Sequence, residues 1–113
     1  MHEMSLAESI RGIVEETAQG QGAQRVKTIV LAIGELASVE VEALRFCLDV
    51  VLRDSLADGA AIKIEPVAGA GWCPACDRSV PLVQRYDPCP HCDGYQLRPT
   101  GGTEMRVKEI EVE

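Results

Sequence analysis

The sequence predicts an α+β fold in which two helices cover a small three-stranded sheet and a cysteine-rich module is inserted between two of the strands. Two segments carry apolar residues at helical spacing, three carry strand patterns, and four cysteines form two close pairs before the last strand. We expect residues 1–68, completed by strand 103–113, to form one domain and residues 69–102 to form the other.

The two helices are predicted from their apolar stripes. The first covers residues 5–19, with Ser5 and Glu8 as a capping box, and ends at Gly20 and Gly22. The second follows Ser38, which we expect to cap it, with Glu40 in its first turn. The apolar positions of the two stripes are Leu6, Ile10, Ile13, Val14 and Ala18, then Val41, Leu44, Leu48, Val51 and Leu52.

The three strands differ in pattern. Residues 26–33 form a nearly continuous β-branched run, which favours a strand covered on both faces and ended by Gly34. Residues 61–65 alternate as a half-buried strand, and Pro66 indicates its edge or end. Residues 105–112 change apolar phase after Val107, which predicts a bulged strand that returns to the first module.

Composition excludes several classes of protein. The net charge of −7 argues against binding of a phosphate backbone, and the aromatic fraction of 4% is low for a base-stacking platform. No apolar run has the length of a membrane span, and the start has no signal-peptide pattern, so we expect a protein of the reducing cytoplasm.

The two cysteine pairs have the spacing of a metal site. Cys73 and Cys76 form one Cys-x-x-Cys knuckle, Cys89 and Cys92 the other, and 12 residues separate them. Two facing knuckles supply four thiolates in a tetrahedron, the geometry of structural Zn²⁺, so we expect a zinc-ribbon-like module. A redox dithiol is the rival interpretation, but the helix that normally follows such a motif is missing from the pattern. The four-thiolate donor set of the predicted zinc site leaves no open coordination position, which favours a structural role over hydrolytic chemistry.

Three other side chains carry possible chemistry. His91 lies inside the second knuckle, either as an exposed turn residue or as a pH-sensitive neighbour or alternate ligand of the zinc. Cys47 is expected to be a buried, inert thiol. At the N-terminus, the bulky His2 should prevent removal of Met1, so that the α-amine, the imidazole and the amides of His2 and Glu3 can chelate Ni(II) or Cu(II), with a carboxylate from Glu3 or Glu40 at the side.

These residues resemble the HypA/HybF family of hydrogenase nickel-incorporation proteins. The resemblance rests on the start Met-His-Glu-Met-Ser, on Ile33-Gly34-Glu35-Leu36 before Glu40, on the two knuckles, and on Gly102-Thr103-Glu104-Met105-Arg106-Val107. It implies a mixed sheet, nickel bound by Met1, His2 and Glu3, zinc bound by the four paired cysteines, and nickel delivery to the [NiFe]-hydrogenase large subunit with the HypB GTPase. Two departures stand out: Asp77 and Asp93 follow the knuckles where glycine is common, and Glu40 stands where some members carry aspartate.

We therefore interpret the chain as a cytoplasmic metallochaperone with Ni(II) as cargo and structural Zn(II), and not as an enzyme. It lacks a Ser/His/Asp set and a phosphate-binding loop, so any nucleotide-driven step must come from a partner. A homodimer is a further possible partner state. The alternative is a zinc-ribbon module for protein interaction or nucleic-acid binding, in which His2 is incidental. Residues 70–100 carry as many aspartates as arginines, which argues against nucleic acid.

Overall fold

The structure is a computed structural model that describes residues 2–113. Its elements are α1 (Glu3–Gly20), β1 (Val26–Gly34), α2 (Val41–Val51), β2 (Ala61–Val67), β3 (Ala70–Cys73), β4 (Arg78–Pro81), β5 (Arg98–Gly101) and β6 (Met105–Val112). The first sheet has the strand order β2-β1-β6 and the second has the order β4-β3-β5. The predicted three-stranded sheet with two helices is confirmed, and the last strand does return to it beside β1.

The start of α1 differs from the prediction. The helix begins at Glu3 with His2 as its N-cap residue, so Ser5 lies inside the helix and the expected Ser5–Glu8 capping box is wrong. At the other end, the amides of Gln21 and Gly22 bond to Ala18 and Gln19, and Gly22 has a φ of +67°. This left-handed glycine ends the helix as predicted.

By contact, the chain divides into two compact units. The first, the helical unit, comprises Met1–Leu31, Val39–Ile64 and Val107–Glu113. In it α1 packs against α2, and the Arg11 guanidinium donates to the carbonyl oxygen of Val51 at 2.7 Å. The side chains at its centre are completely buried: Ile10, Val14, Ile29, Leu31, Leu44 and Leu48. Most of the predicted stripes lie in or beside this core, with Ala18 and Leu52 also buried, but Ile13 of the first stripe is 49% exposed, so its predicted place in the core is wrong.

The second, the cysteine unit, comprises Ala32–Ser38 and Glu65–Arg106. Its central strand β3 pairs antiparallel with β4, with Cys73 opposite Arg78, and antiparallel with β5, with Trp72 opposite Arg98. The register on the β5 side shifts between Ala70 and Gly71. These three short strands were not predicted, because residues 69–101 have no periodic apolar pattern. No helix within residues 2–113 has both the length and the apolar character needed to cross a membrane.

Candidate metal centre

Both Cys-x-x-Cys knuckles have the same backbone geometry. The amide of Asp77 donates to the carbonyl oxygen of Cys73 at 2.8 Å, and that of Asp93 donates to Cys89 at the same distance. Both aspartates adopt left-handed backbone angles, with φ of 54° and 60°. Aspartate tolerates this region better than most residues, so the knuckles form without the usual glycine, as the sequence predicted.

The turns bring the four thiols into one cluster. All four sulfur atoms lie within 4.8 Å of one another, with Cys73 and Cys92 at 3.7 Å and Cys76 and Cys89 at 4.0 Å. Four sulfurs at the zinc–sulfur bond length, arranged as a tetrahedron, are about 3.8 Å apart. The donor set therefore fits a single tetrahedral ion. Cys73 and Cys89 are buried with Val80 in one small apolar core, whereas Cys92 is exposed. The cluster therefore lies between this core and the solvent.

As thiols, the four side chains differ in acidity. Burial acts to raise the pKa of Cys89, but backbone N–H donation from His91 and Cys92 outweighs it and lowers that pKa from 9.0 to about 7. Hydrogen bonding to Cys92, joined by burial, raises the pKa of Cys76 to about 12. One thiol of the cluster is thus close to ionisation at neutral pH, while another holds its proton strongly.

His91 lies on the surface of the second knuckle. Its ring is exposed and contacts the guanidinium of Arg78, the first residue of β4. Its backbone amide donates to the Cys89 sulfur at 3.4 Å. The exposed position expected for His91 is confirmed, and its ring is outside the four-sulfur group found among residues 2–113. The contact between Arg78 and His91 could not be predicted from the sequence spacing, because it depends on the pairing of β3 with β4.

The predicted N-terminal ligands begin the first helix. Met1 lies outside the described residues. The Nδ1 atom of His2 is 3.3 Å from a carboxylate oxygen of Glu3, and the two side chains are 54% and 9% exposed. Glu3 is the one charged residue among residues 2–113 that is classed as buried. An exposed imidazole thus lies beside a shielded carboxylate at the positive end of α1.

Glu40 occupies a different position from the predicted one. It is itself the N-cap residue of α2, and its Oε1 atom accepts a hydrogen bond from the amide of Glu42 at 3.2 Å. Ser38, the expected cap, has a φ of 59° and lies two residues before the actual cap Glu40, so that prediction is wrong. Within residues 2–113, Glu40 does not join His2 and Glu3 in a group of three metal-ligating atoms.

Cys47 is 5% exposed in the helical core, as predicted for an inert thiol.

The fold and the four-thiol cluster together define a small α+β protein with the donor set of a structural metal centre. The model of one family, described as "Hydrogenase/urease nickel incorporation, metallochaperone, hypA", matches residues 1–112. The chain belongs to this HypA family of nickel-incorporation metallochaperones, which serve hydrogenase maturation.

Individual relatives agree with the family assignment. The chain is 72% identical to the hydrogenase maturation factor HypA of Azoarcus sp. (strain BH72) over 110 residues, which cover 97% of this chain and 96% of that protein. It is 56% identical to the protein of that name from Dechloromonas aromatica (strain RCB), with both chains covered completely. Its fold resembles the solution structure of the Ni metallochaperone HypA from Helicobacter pylori, with a TM-score of 0.72 at 24% identity and coverage of 99% and 97%.

Proposed function

We propose that this chain binds Ni(II) as cargo at its N-terminus, holds a structural Zn(II) in the cysteine cluster, and delivers nickel to the precursor of the [NiFe]-hydrogenase large subunit in the cytoplasm. The family match over residues 1–112, in a chain whose four paired cysteines converge, carries this proposal. A HypB-type GTPase is the proposed partner, since the resemblance to the HypA/HybF family implies it and the chain belongs to that family.

The proposed zinc is held by the sulfurs of Cys73, Cys76, Cys89 and Cys92. Four thiolates leave no open coordination position, so the ion would supply folding energy and no reaction chemistry. Residues 69–102, the proposed zinc-binding domain, have only a small apolar core around Val80. A structural zinc contributes roughly 10–16 kcal/mol in small zinc-finger peptides at neutral pH, which is ample for such a module.

Cys92 and Cys47 provide a matched pair of substitutions for the zinc proposal. Cys92→Ser should lose zinc and disorder residues 69–102 while the helices persist, because it removes one of four donors. Cys47→Ala removes a thiol outside the cluster and should keep one zinc per chain. Metal analysis gives the zinc content, and the fluorescence of Trp72, the one tryptophan of the chain, reports on β3. Equal zinc content in both variants would refute the proposed ligand set.

The first turn of α1 suits the proposed nickel site. The amides in a first helical turn have no partner within the helix, so the Glu3 amide can lose its proton to a metal without breaking the helical ladder. The exposed His2 ring supplies the nitrogen donor typical of Ni(II), and the Glu3 carboxylate beside it offsets the positive helix end.

The two histidines of the chain allow a controlled test of the nickel site. His2→Ala and an N-terminal extension should each abolish tight nickel binding, whereas His91→Ala should retain it. The site should also weaken from about pH 8 to pH 6, because Ni(II) binds only unprotonated nitrogen donors. Titration calorimetry of untagged protein measures all four cases. Tight nickel binding by the extended chain, lost only in His91→Ala, would place the site at the knuckle instead.

Glu40 is proposed to tune this site and not to anchor it. Its carboxylate is engaged by the Glu42 amide at 3.2 Å, so it is not pre-organised for a metal. Glu40→Ala should weaken nickel binding only modestly, and Glu40→Gln, which keeps an oxygen acceptor, should preserve the helix cap. A loss of nickel affinity as large as that of His2→Ala would contradict this ranking.

A further inference from the structure

The cysteine unit has an exposed turn between β4 and the second knuckle. The amide of Asp87 donates to the carbonyl oxygen of Gln84 at 3.1 Å, and the Asp87 carboxylate accepts from the Gln84 amide at 3.0 Å. These two reciprocal bonds close the turn from both sides. The turn therefore holds the residues at its tip in one backbone arrangement, which reduces the ordering cost when a partner binds.

Two large apolar side chains at this turn are exposed to solvent. Val83 is 65% exposed and Tyr86 is 88% exposed, although Leu82 beside them is buried. A single exposed apolar residue needs no explanation, but these two line one hollow of about 250 Å³ together with the buried Leu36. The hollow thus has apolar side chains on its floor and on one wall, all within one compact unit.

Two charged side chains of opposite sign line the same hollow. Arg85 directly precedes Tyr86 in the turn, and Glu35 directly follows β1. Both are exposed, and within residues 2–113 neither of them forms an ion pair. Each charge can therefore meet a group of opposite sign on a partner. Tyrosine and arginine are also enriched among the residues that dominate the binding energy of protein interfaces.

The size and the charges of the hollow argue against several other occupants. Its volume of about 250 Å³ is below the roughly 300–1,000 Å³ of small-molecule sites. A phosphate group would meet the Glu35 carboxylate as well as a single arginine. An anionic lipid surface would be repelled by the net charge of −7. One large apolar side chain with a charged residue on either side fits the hollow better than any of these.

We propose that this hollow, lined by Glu35, Leu36, Val83, Arg85 and Tyr86, is the docking site for a segment of a partner protein. The segment inserts one leucine or aromatic side chain against Leu36 and Tyr86. It has an acidic residue on the Arg85 side and a basic residue on the Glu35 side. The surface contains no cysteine of the cluster and no proposed nickel ligand, so the inference does not depend on either metal.

Peptide display provides the probe for this chemistry. A random peptide library is selected against the full chain, immobilised through its C-terminus, after depletion on Tyr86→Ala. We expect the enriched peptides to share a leucine or aromatic residue between an acidic and a basic residue. In titration calorimetry, Tyr86→Ala and Arg85→Glu should each weaken binding of the best peptide about tenfold or more. Tyr95→Ala and Arg98→Glu are the matched controls, because they change exposed residues of the same unit outside the hollow and should bind as the wild type does.

A charge exchange separates direct contact from a structural effect of the substitution. A peptide whose acidic residue is replaced by lysine should lose affinity for the wild-type chain and regain it with Arg85→Glu. Circular dichroism of each variant first shows that the fold is intact. Enriched peptides without the shared pattern would overturn the proposal, as would a best peptide that binds Tyr86→Ala as tightly as the wild type. Displacement of the peptide by millimolar inorganic phosphate would assign Arg85 to an anion site and also refute it.

Discussion

Replacing Gly34 by alanine should destabilise the cysteine unit severely, because the backbone of Gly102 lies where the new methyl group would be. A Cβ atom built on Gly34 overlaps the carbonyl oxygen of Gly102. Rotation of a side chain cannot relieve this overlap, since both groups are fixed by the backbone. Gly102 is itself tightly packed, because a Cβ atom built on it would lie 2.7 Å from the Ala68 carbonyl oxygen, so its backbone has little room to move in that direction.

The structure gives the size of the effect. Separating the two segments breaks the bond from the Gly34 amide to Glu104, at 2.9 Å, and the bond from the Leu36 amide to Gly102, at 2.7 Å. Each such bond contributes about 1 kcal/mol net. Forcing a methyl group into a packed site costs about 1–3 kcal/mol more. The free energy of unfolding should therefore fall by about 3–5 kcal/mol, which lowers the melting temperature by about 10 °C or more.

Gly12 provides the matched control. It lies within α1, and nothing is found within 4 Å of its Cβ position. Gly12→Ala should raise the free energy of unfolding by about 0.5–1 kcal/mol, because alanine restricts the unfolded chain and favours the helix. Urea unfolding of the zinc-saturated proteins, followed by circular dichroism and Trp72 fluorescence, measures both changes. A Gly34→Ala protein within about 0.5 kcal/mol of the wild type would show that the close approach of Gly34 and Gly102 is wrong.

Two further predictions concern the cysteine cluster. Asp93→Gly should stabilise the zinc-loaded protein by about 0.5–1 kcal/mol, because glycine adopts the φ of 60° without strain. Asp87→Gly is the control: it removes the acceptor of the Gln84 amide and should destabilise the protein. Thermal unfolding measures both variants. Zinc binding at pH 7 should release about three to four protons, because the pKa of Cys89 is about 7 while that of Cys76 is about 12. Calorimetry in buffers of different ionisation enthalpy counts these protons, and a release of two or fewer would contradict the assigned acidities.

Periodic apolar patterns predicted the elements that form the helical core. The stripes of α1 and α2 and the β-branched run of β1 each specify a buried face, and burial decides their structure. The helix starts were less predictable. Glu40 displaced Ser38 as the cap of α2, and α1 began two residues before Ser5, because cap choice depends on local backbone angles that the residue type alone does not fix.

The cysteine unit shows a different limit of sequence reasoning. The spacing of the four cysteines predicted their convergence, since a Cys-x-x-Cys turn brings two sulfurs together whatever surrounds it. It did not predict β3, β4 and β5, because strands of 4 residues are too short to show alternation. Gly34 was expected only to end a strand. Its contact with Gly102, 68 positions away in the chain, has no local signal.

The exposure of the two proposed metal sites fits the different tasks proposed for them. Cys73 and Cys89 are 3% and 0% exposed, so a competing ligand can approach a bound ion only from the side of Cys76 and the exposed Cys92. The His2 side chain is 54% exposed at the end of a helix, where an incoming ligand from an acceptor protein can replace donors one at a time. Stepwise ligand replacement between two proteins needs such access. A structural ion stays bound because competing ligands have little access to it. An exchange experiment separates the two: a chelator in excess should remove nickel quickly from the wild-type chain while its zinc remains bound, and loss of both metals at one rate would contradict this division of roles.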